Sequence, residues 1–256
     1  MKRTPNPNSL FAGVDLGINC YAVLADENGQ ELERIAPLKP LRTEIRKLRR
    51  ASRSHSRKKK GSSGRRKSAQ KLGRIHTGIA NRRSNFLHQT SSHLVKTQDQ
   101  LVIEDLAPSN LVRNRTLSRE ISDASWGAFK TMLEYKSSWK GVELVVAPRN
   151  FPSSKTCSGC GVMKTQLSLS EREFVCESCG LKTDRDTNAA VNLAKYGRAI
   201  KQAAAGCAEA LNAGGVRSSG RAGPSRRCET TCGETGTILV ERSAEMRQPR
   251  RLPSQR

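Results

Sequence analysis

The sequence predicts an α/β fold: a mixed sheet with a strongly basic helical hairpin inserted into it and a small metal-binding ribbon attached. Three observations predict it. Short apolar runs suited to buried strands, Phe11–Leu16, Leu101–Glu104 and Val142–Ala147, alternate with helical patterns. Residues 41–83 hold 17 Lys or Arg against the single acid Glu44, with apolar residues at helical spacing. Two Cys-x2-Cys pairs, Cys157/Cys160 and Cys176/Cys179, match the spacing of a tetrahedral four-thiolate zinc site.

In chain order, Phe11–Leu16 reads as a buried first strand and Tyr21–Ala25 as a second. Asn28-Gly29 is a hairpin turn signal, after which Glu31–Ala36 returns as a third strand. Leu41, Ile45 and Leu48 keep one helical stripe, and Leu72, Ile75, Ile79, Phe86 and Leu87 keep another. Gly61-Ser62-Ser63-Gly64 separates the two, so residues 41–93 form a helical hairpin. Leu101–Glu104 is a fourth strand. Ser122 or Asp123 is the expected cap of a helix whose inner face is Trp126, Phe129, Met132 and Leu133. Val142–Ala147 is a fifth strand. The cysteine ribbon spans 157–180, and a final helix starts near Thr187 within a last core segment, 181–204. Residues 205–256 lack sustained periodicity and are expected to form a disordered basic tail, in which Cys228 and Cys232 have no partner ligands.

A closed four-thiolate zinc site has no open coordination position, so it is structural, and the chemistry belongs elsewhere. Three acids stand where core elements end: Asp15 in the first strand, Glu104 closing the fourth, Asp186 opening the last helix. An Asp buried in a strand is costly unless it is paired or bound to a cation. If the first and fourth strands are neighbours, Asp15 and Glu104 meet, and the final helix adds Asp186. Three converging carboxylates suit Mg²⁺ or Mn²⁺, the ions of two-metal phosphodiester hydrolysis. Asp105 competes with Glu104 but alternates to the opposite strand face. Asp184 competes with Asp186, which is preferred as closer to the helix start, with Asn188 placed to help orient it.

This element order, residues 1–156 with the hairpin inserted and 181–204 after the ribbon, is that of an RNase H-like sheet. Gly13-Val14-Asp15-Leu16-Gly17, Val102-Ile103-Glu104-Asp105-Leu106, Phe151-Pro152-Ser153-Ser154-Lys155-Thr156-Cys157 and Asp184-Arg185-Asp186-Thr187-Asn188-Ala189-Ala190 resemble the RuvC-type core of transposon-encoded TnpB (OrfB) proteins, similar to the ancestors of type V CRISPR effectors. The resemblance covers about Leu10 to Leu193. It implies an RNA-guided DNA endonuclease of an insertion sequence, with Asp15, Glu104 and Asp186 as its metal-binding triad. The family's usual N-terminal β-barrel and helical domain have no counterpart in the residues before the first strand. The expectation is therefore a nuclease core, with a non-cleaving nucleic-acid-binding remnant or regulator as the alternative.

The formal net charge of +23 points to a phosphate-bearing partner, DNA with guide RNA in the complete family form. Arg49, Arg50, Arg53, Lys58, Lys59, Lys60, Arg65, Arg66 and Lys67 are the expected backbone contacts. Arg149, Lys155 and Arg185 flank the proposed site. His55, His76, His88 and His93 lack metal-ligand spacing and read as surface residues. No apolar run is long enough for a membrane span and no signal-peptide core is expected, which places the chain in a reducing cytoplasm, associated with the nucleoid.

Overall fold

The computed structural model describes residues 9–168 and 171–213, the stretch 206–213 by its backbone alone. Contacts divide the chain into two units, 1–214 and 215–256, and the second lies outside the described residues together with Cys228 and Cys232. Strands β1 (Ala12–Leu16), β2 (Ala22–Asp26) and β3 (Glu31–Ile35) form an antiparallel meander. Gly29, at φ +96°, makes the turn between β2 and β3. Helices α1 (Pro40–Ser56) and α2 (Ser63–Thr97) follow. Strand β4 (Gln100–Glu104) lies parallel to β1. Helices α3 (Pro108–Leu111), α4 (Ser118–Ala124) and α5 (Trp126–Lys140) lead to β5 (Glu143–Ala147), parallel to β4. The sheet order is β3-β2-β1-β4-β5. A second sheet pairs β6 (Glu173–Val175) with β7 (Lys182–Asp184), and α6 (Arg185–Ala213) closes the described fold.

Strand alternation sorts the core into two layers. Val14, Leu24, Leu101 and Ile103 face one side and pack with Leu87, Leu94, Phe129 and Leu133 of α2 and α5. Tyr21 lies between Phe86 and Phe129, edge-on to both at centroid distances of 4.8 and 5.3 Å. Val23, Ala25 and Val102 face the other side, toward Ala190, Val191, Leu193 and Ala194 of α6. There β1 meets α6 backbone to backbone. A Cβ on Gly13 would stand 1.9 Å from the Ala190 carbonyl oxygen and 2.6 Å from the Ala194 nitrogen. Neither atom can yield without moving a helix. Gly13→Ala, a substitution that ordinarily favours a folded chain, is therefore expected to destabilise this one by about 3 kcal/mol in urea unfolding, the upper end of what overpacking usually costs.

Two elements differ from the sequence expectation. Ser122 and Asp123 lie inside α4, not at the head of the long helix. Chain direction changes at Ser125, which takes φ +50° and separates α4 from α5. Asp123 is buried because a distant element claims it: its carboxylate accepts the backbone N–H groups of Leu41 and Arg42 and pairs with Arg83 at 2.7 Å. It thus satisfies the open N-terminus of α1 and pins the basic hairpin to the core. In addition, α6 runs on to Ala213, past the expected start of the tail at 205, while 214–256 lie outside the described residues. The basic hairpin is formed by α1 and α2. Ser62 caps α2 by accepting from the Arg65 backbone N–H at 3.2 Å, and α2 extends to Thr97, beyond the anticipated end at 93. Among the described residues no helix is long and apolar enough to cross a membrane.

Candidate active site

Side chains on a strand share a face at every second residue, so Gly13 and Asp15 point the same way, as do Val102 and Glu104. The parallel register Gly13↔Val102, Val14↔Ile103, carried one step further, sets Asp15 beside Glu104 on the α6 face. The chain leaving β7 enters α6 there, and Asp186 is in the first turn. Asp15, Glu104 and Asp186 line one cleft of about 460 Å³, with Phe151, Arg172 and Arg185 also on its wall. Three elements far apart in sequence thus deliver their acids to one place.

All three carboxyls are pushed up from their ordinary range. Burial, then Asp186 and Glu104, raises Asp15 to about 8. Burial and Asp105 raise Glu104. Burial and Asp184 raise Asp186, against the opposing pull of Arg172, Arg185 and Arg34. Mutually repelling, partly desolvated carboxylates are what a cation would relieve. An all-oxygen donor set suits a hard divalent ion, and hosting one requires that these acids be deprotonated.

The competing acids are occupied. Asp105 pairs with Lys130 at 2.7 Å and Arg149 at 2.8 Å, and these cations hold its carboxyl below the usual range. Arg149 is thereby committed to Asp105 as well. Asp184 caps α6: its Oδ1 accepts from the backbone N–H groups of Asp186 at 3.0 Å and Thr187 at 3.2 Å, and it pairs with Arg34 at 3.3 Å. Arg34 also binds Glu31, whose carboxylate accepts from the Thr187 hydroxyl at 2.6 Å. Asn188 does not turn toward Asp186, as the sequence suggested. Its carbonyl oxygen accepts from the Ser158 N–H and its amide donates to the Thr156 carbonyl, both in the segment entering the ribbon.

Arg172 escaped the sequence reading. It precedes β6, and β6 pairs with β7 through Glu173↔Asp184. The Arg185 N–H donates to the Arg172 carbonyl at 2.8 Å, continuing the ladder to the foot of α6. The ribbon therefore hands a guanidinium to the acid cleft. Recognition of the 173–175/182–184 hairpin would have been the signal. Lys155 is exposed, while Arg185 donates to the Ser168 and Glu171 carbonyls.

The four cysteines converge as their spacing requires. The sulfurs of Cys157, Cys160, Cys176 and Cys179 all lie within 4.8 Å of one another. Cys157–Cys179 and Cys160–Cys176 are each 3.6 Å apart, close to the edge of about 3.8 Å of a tetrahedron with 2.3 Å metal–sulfur bonds. Two like knuckles hold them. The Gly161 N–H donates to the Cys157 carbonyl, and the Gly180 N–H to that of Cys176. Gly161 and Gly180 take φ of +78° and +73°, which lets each knuckle turn back after its second cysteine. Backbone N–H groups of Cys179 and Ser178 pull the Cys176 thiol down, while the neighbouring sulfurs push that of Cys179 up, so the four would ionise together only around a cation. Among the described residues this is the only group of three or more such ligands drawn within 4.8 Å; the three carboxylates stand wider.

The hairpin presents Arg49, Arg50, Arg53, Lys58, Lys59, Lys60, Arg66 and Lys67 to solvent. Arg65 is half-buried and donates to the Lys58 carbonyl at 3.0 Å, closing the end of α1. The hairpin's one acid, Glu44, is neutralised by Arg82 at 3.0 Å and Lys47 at 3.4 Å. His55 binds Ser68 and His93 binds Glu33, and no histidine joins a metal-ligand group among the described residues.

Comparison with known proteins agrees with the resemblance. A family model described as OrfB_IS605, "Probable transposase", matches residues 2–115, and one described as Cas12f1-like, TNB domain, matches residues 126–193. A Streptomyces pristinaespiralis protein provisionally named an RNA-guided DNA endonuclease is 44% identical over 197 residues, covering 77% of this chain and 48% of the relative. A protein of Escherichia coli K12 with the same provisional name and the designation InsQ is 30% identical over 210 residues, covering 76% of this chain and 51% of the relative. The chain thus spans about half the length of these relatives. The cryo-EM structure of a Cas12f1–sgRNA–target DNA complex shares the fold, with a TM-score of 0.54 at 19% identity over 75% of this chain and 51% of that one. With family models matched on residues 2–115 and 126–193 and a relative at 44% identity, the chain is similar to transposon-encoded OrfB proteins and to proteins named as RNA-guided DNA endonucleases.

Proposed function

We propose that the chain is the nuclease core of an insertion-sequence endonuclease that hydrolyses DNA phosphodiester bonds, guided by RNA in the complete protein. The observation that carries this reading is the arrival of Asp15, Glu104 and Asp186 in one cleft from β1, β4 and α6. The order β3-β2-β1-β4-β5, with only the first three strands antiparallel, supports an RNase H-like sheet of the RuvC type. Asp15, Glu104 and Asp186 would hold Mg²⁺ or Mn²⁺, which when bound supplies an activated water and stabilises the leaving oxygen. The chain's own residues position the substrate. Arg172 offers a guanidinium to the non-bridging oxygens of a phosphate in the cleft. Phe151 and the start of α6 shape the wall it sits against. The exposed cations of α1 and α2 would bind the nucleic-acid backbone irrespective of sequence, with an affinity that falls as salt rises. Cys157, Cys160, Cys176 and Cys179 would hold a structural Zn²⁺, as their 3.6 Å spacings permit.

The test is cleavage of labelled single- and double-stranded DNA by the purified chain with its co-purifying RNA, in Mg²⁺ or Mn²⁺. Cutting by the wild type that disappears in Asp186→Asn is the expected result. Cutting that survives this substitution excludes the triad. A second reading, a binding protein that does not cleave, rests on the exposed cations of the hairpin alone. Salt-sensitive binding without cutting under either ion would select it.

A further inference from the structure

The first turn of α6 is held from two sides. On one side are Asp184, Arg34 and Glu31, described above. On the other is the segment that enters the first cysteine knuckle. Asn188 is fully buried, with its carbonyl oxygen 2.9 Å from the Ser158 nitrogen and its amide nitrogen 2.7 Å from the Thr156 carbonyl oxygen. One turn further, buried Asn192 donates to the carbonyls of Ser153 and Thr156, both at 2.7 Å. Lys195, on the same helix face, donates to the Ser158 carbonyl. Ser158 is the residue between ligand Cys157 and Gly159 in the knuckle turn. Two residues before Asn188 on the helix is Asp186. A short chain of bonds therefore connects a candidate zinc ligand to a candidate catalytic acid.

We propose that Asn188 is a positioning residue that couples the two metal sites: the metal-filled cysteine knuckle fixes Ser158, Ser158 fixes Asn188, and Asn188 sets Asp186 in the acid cleft. The physical ground is burial. An amide enclosed in protein must keep both partners, because water does not replace them. When the four sulfurs lose their shared ion they take up protons, only weak S–H···S contacts at 3.6 Å then join them, and the knuckle turn is free to relax. The Ser158 N–H leaves, and the first turn of α6 must shift or open for Asn188 to find another donor. By linkage, an ion bound at the carboxylates then strengthens zinc retention by the factor with which zinc strengthens the carboxylate site. Asn192 supports the same segment a turn away from the acids, so its loss loosens the link without touching the first turn. This inference rests on the reading of Asp15, Glu104 and Asp186 as a divalent-metal site.

The experiment uses the full chain, zinc-loaded or zinc-stripped, titrated with Mn²⁺ and followed by the electron paramagnetic resonance signal of free Mn²⁺. Removing zinc from the wild type is expected to weaken Mn²⁺ binding about tenfold, within the usual range of coupling between sites. In Asn188→Ala, Mn²⁺ binding becomes weak and nearly independent of zinc. Asn192→Ala gives a partial version of the same change and carries the test should Asn188→Ala not fold, as judged by circular dichroism. Zinc loss to a chromogenic chelator is the second readout, faster in Asn188→Ala than in wild type. Wild-type Mn²⁺ affinity indifferent to zinc, or an asparagine variant that keeps the full zinc dependence, overturns the coupling. If zinc-loaded wild type binds no Mn²⁺, the nuclease reading fails instead, and the chelator assay still decides the clamp: an unchanged release rate in both variants rejects it.

Discussion

Asp15→Asn is expected to abolish metal-dependent cleavage, by at least about a thousandfold, while the fold survives. Loss of a single preorganised group in an active site costs about this much in other enzymes, and Asp15 is the acid that both of the others push up. The stability of the metal-free protein should move the other way. The folded chain holds the Asp15 proton up to about pH 8, whereas an ordinary Asp releases it near 3.8. A group whose folded form binds its proton more tightly than the unfolded form makes folding less favourable as pH rises between those two values. Asparagine mimics the neutral acid and removes that dependence. In metal-free buffer the stability advantage of Asp15→Asn should grow from about pH 4 to about pH 8 and level off above it. Urea midpoints across this range measure it. An activity loss accompanied by uniform destabilisation would mean that Asp15 serves the fold rather than the chemistry.

Stripping zinc, or replacing Cys176 by Ser, is expected to unfold the ribbon and leave the five-stranded sheet in place. Among the described residues between the two knuckles, only Phe174 is a fully buried side chain other than a cysteine, with Leu167 and Leu181 packed against it. So few apolar contacts cannot offset the entropy of ordering the segment. A metal held by the four cysteines would supply the difference, since structural zinc in small modules binds with about 10–16 kcal/mol at neutral pH. Hydrogen exchange should show residues 157–180 losing protection while β1 and β4 keep theirs. Metal analysis should find one zinc per chain before treatment. Because Arg172 reaches the cleft from this ribbon, cleavage should fall with zinc loss even where the acids remain intact.

Much of this architecture was legible in local patterns. Alternation along β1 and β4 put Asp15 and Glu104 on like faces, and Asp105 on the other, before any packing was known. The Cys-x2-Cys pairs announced the ribbon because knuckle geometry needs only four consecutive residues and a following glycine. What escaped was non-local. Asp123 looked like a helix cap, since an acid before an apolar stripe usually is one; its partners, Leu41, Arg42 and Arg83, belong to elements far earlier in the chain. The break at Ser125 uses a left-handed backbone at a residue that rarely adopts it, so no glycine or asparagine marked it. Asn188 was assigned to the neighbouring acid by proximity in sequence, whereas burial turned it toward Thr156 and Ser158. Arg172 gave no periodic signal, and its place depends on a three-residue strand pairing.

The close seating of Gly13 against Ala190 also orders events in time. Synthesis produces β1 first and α6 last among the described elements. While the ribosome is still making the hairpin, the helices and the ribbon, the α6-facing side of β1 and β2, with Val23 and Ala25, has nothing to cover it. Contacts between such distant parts of a chain form slowly, and nascent sheets left uncovered are prone to stick to other chains. The protein therefore completes its fold late, and the same docking event that buries the sheet also delivers Asp186 to Asp15 and Glu104. A chain interrupted before α6 would lack both its second core layer and its third acid, so an incomplete product carries no assembled cleft to release into the cell.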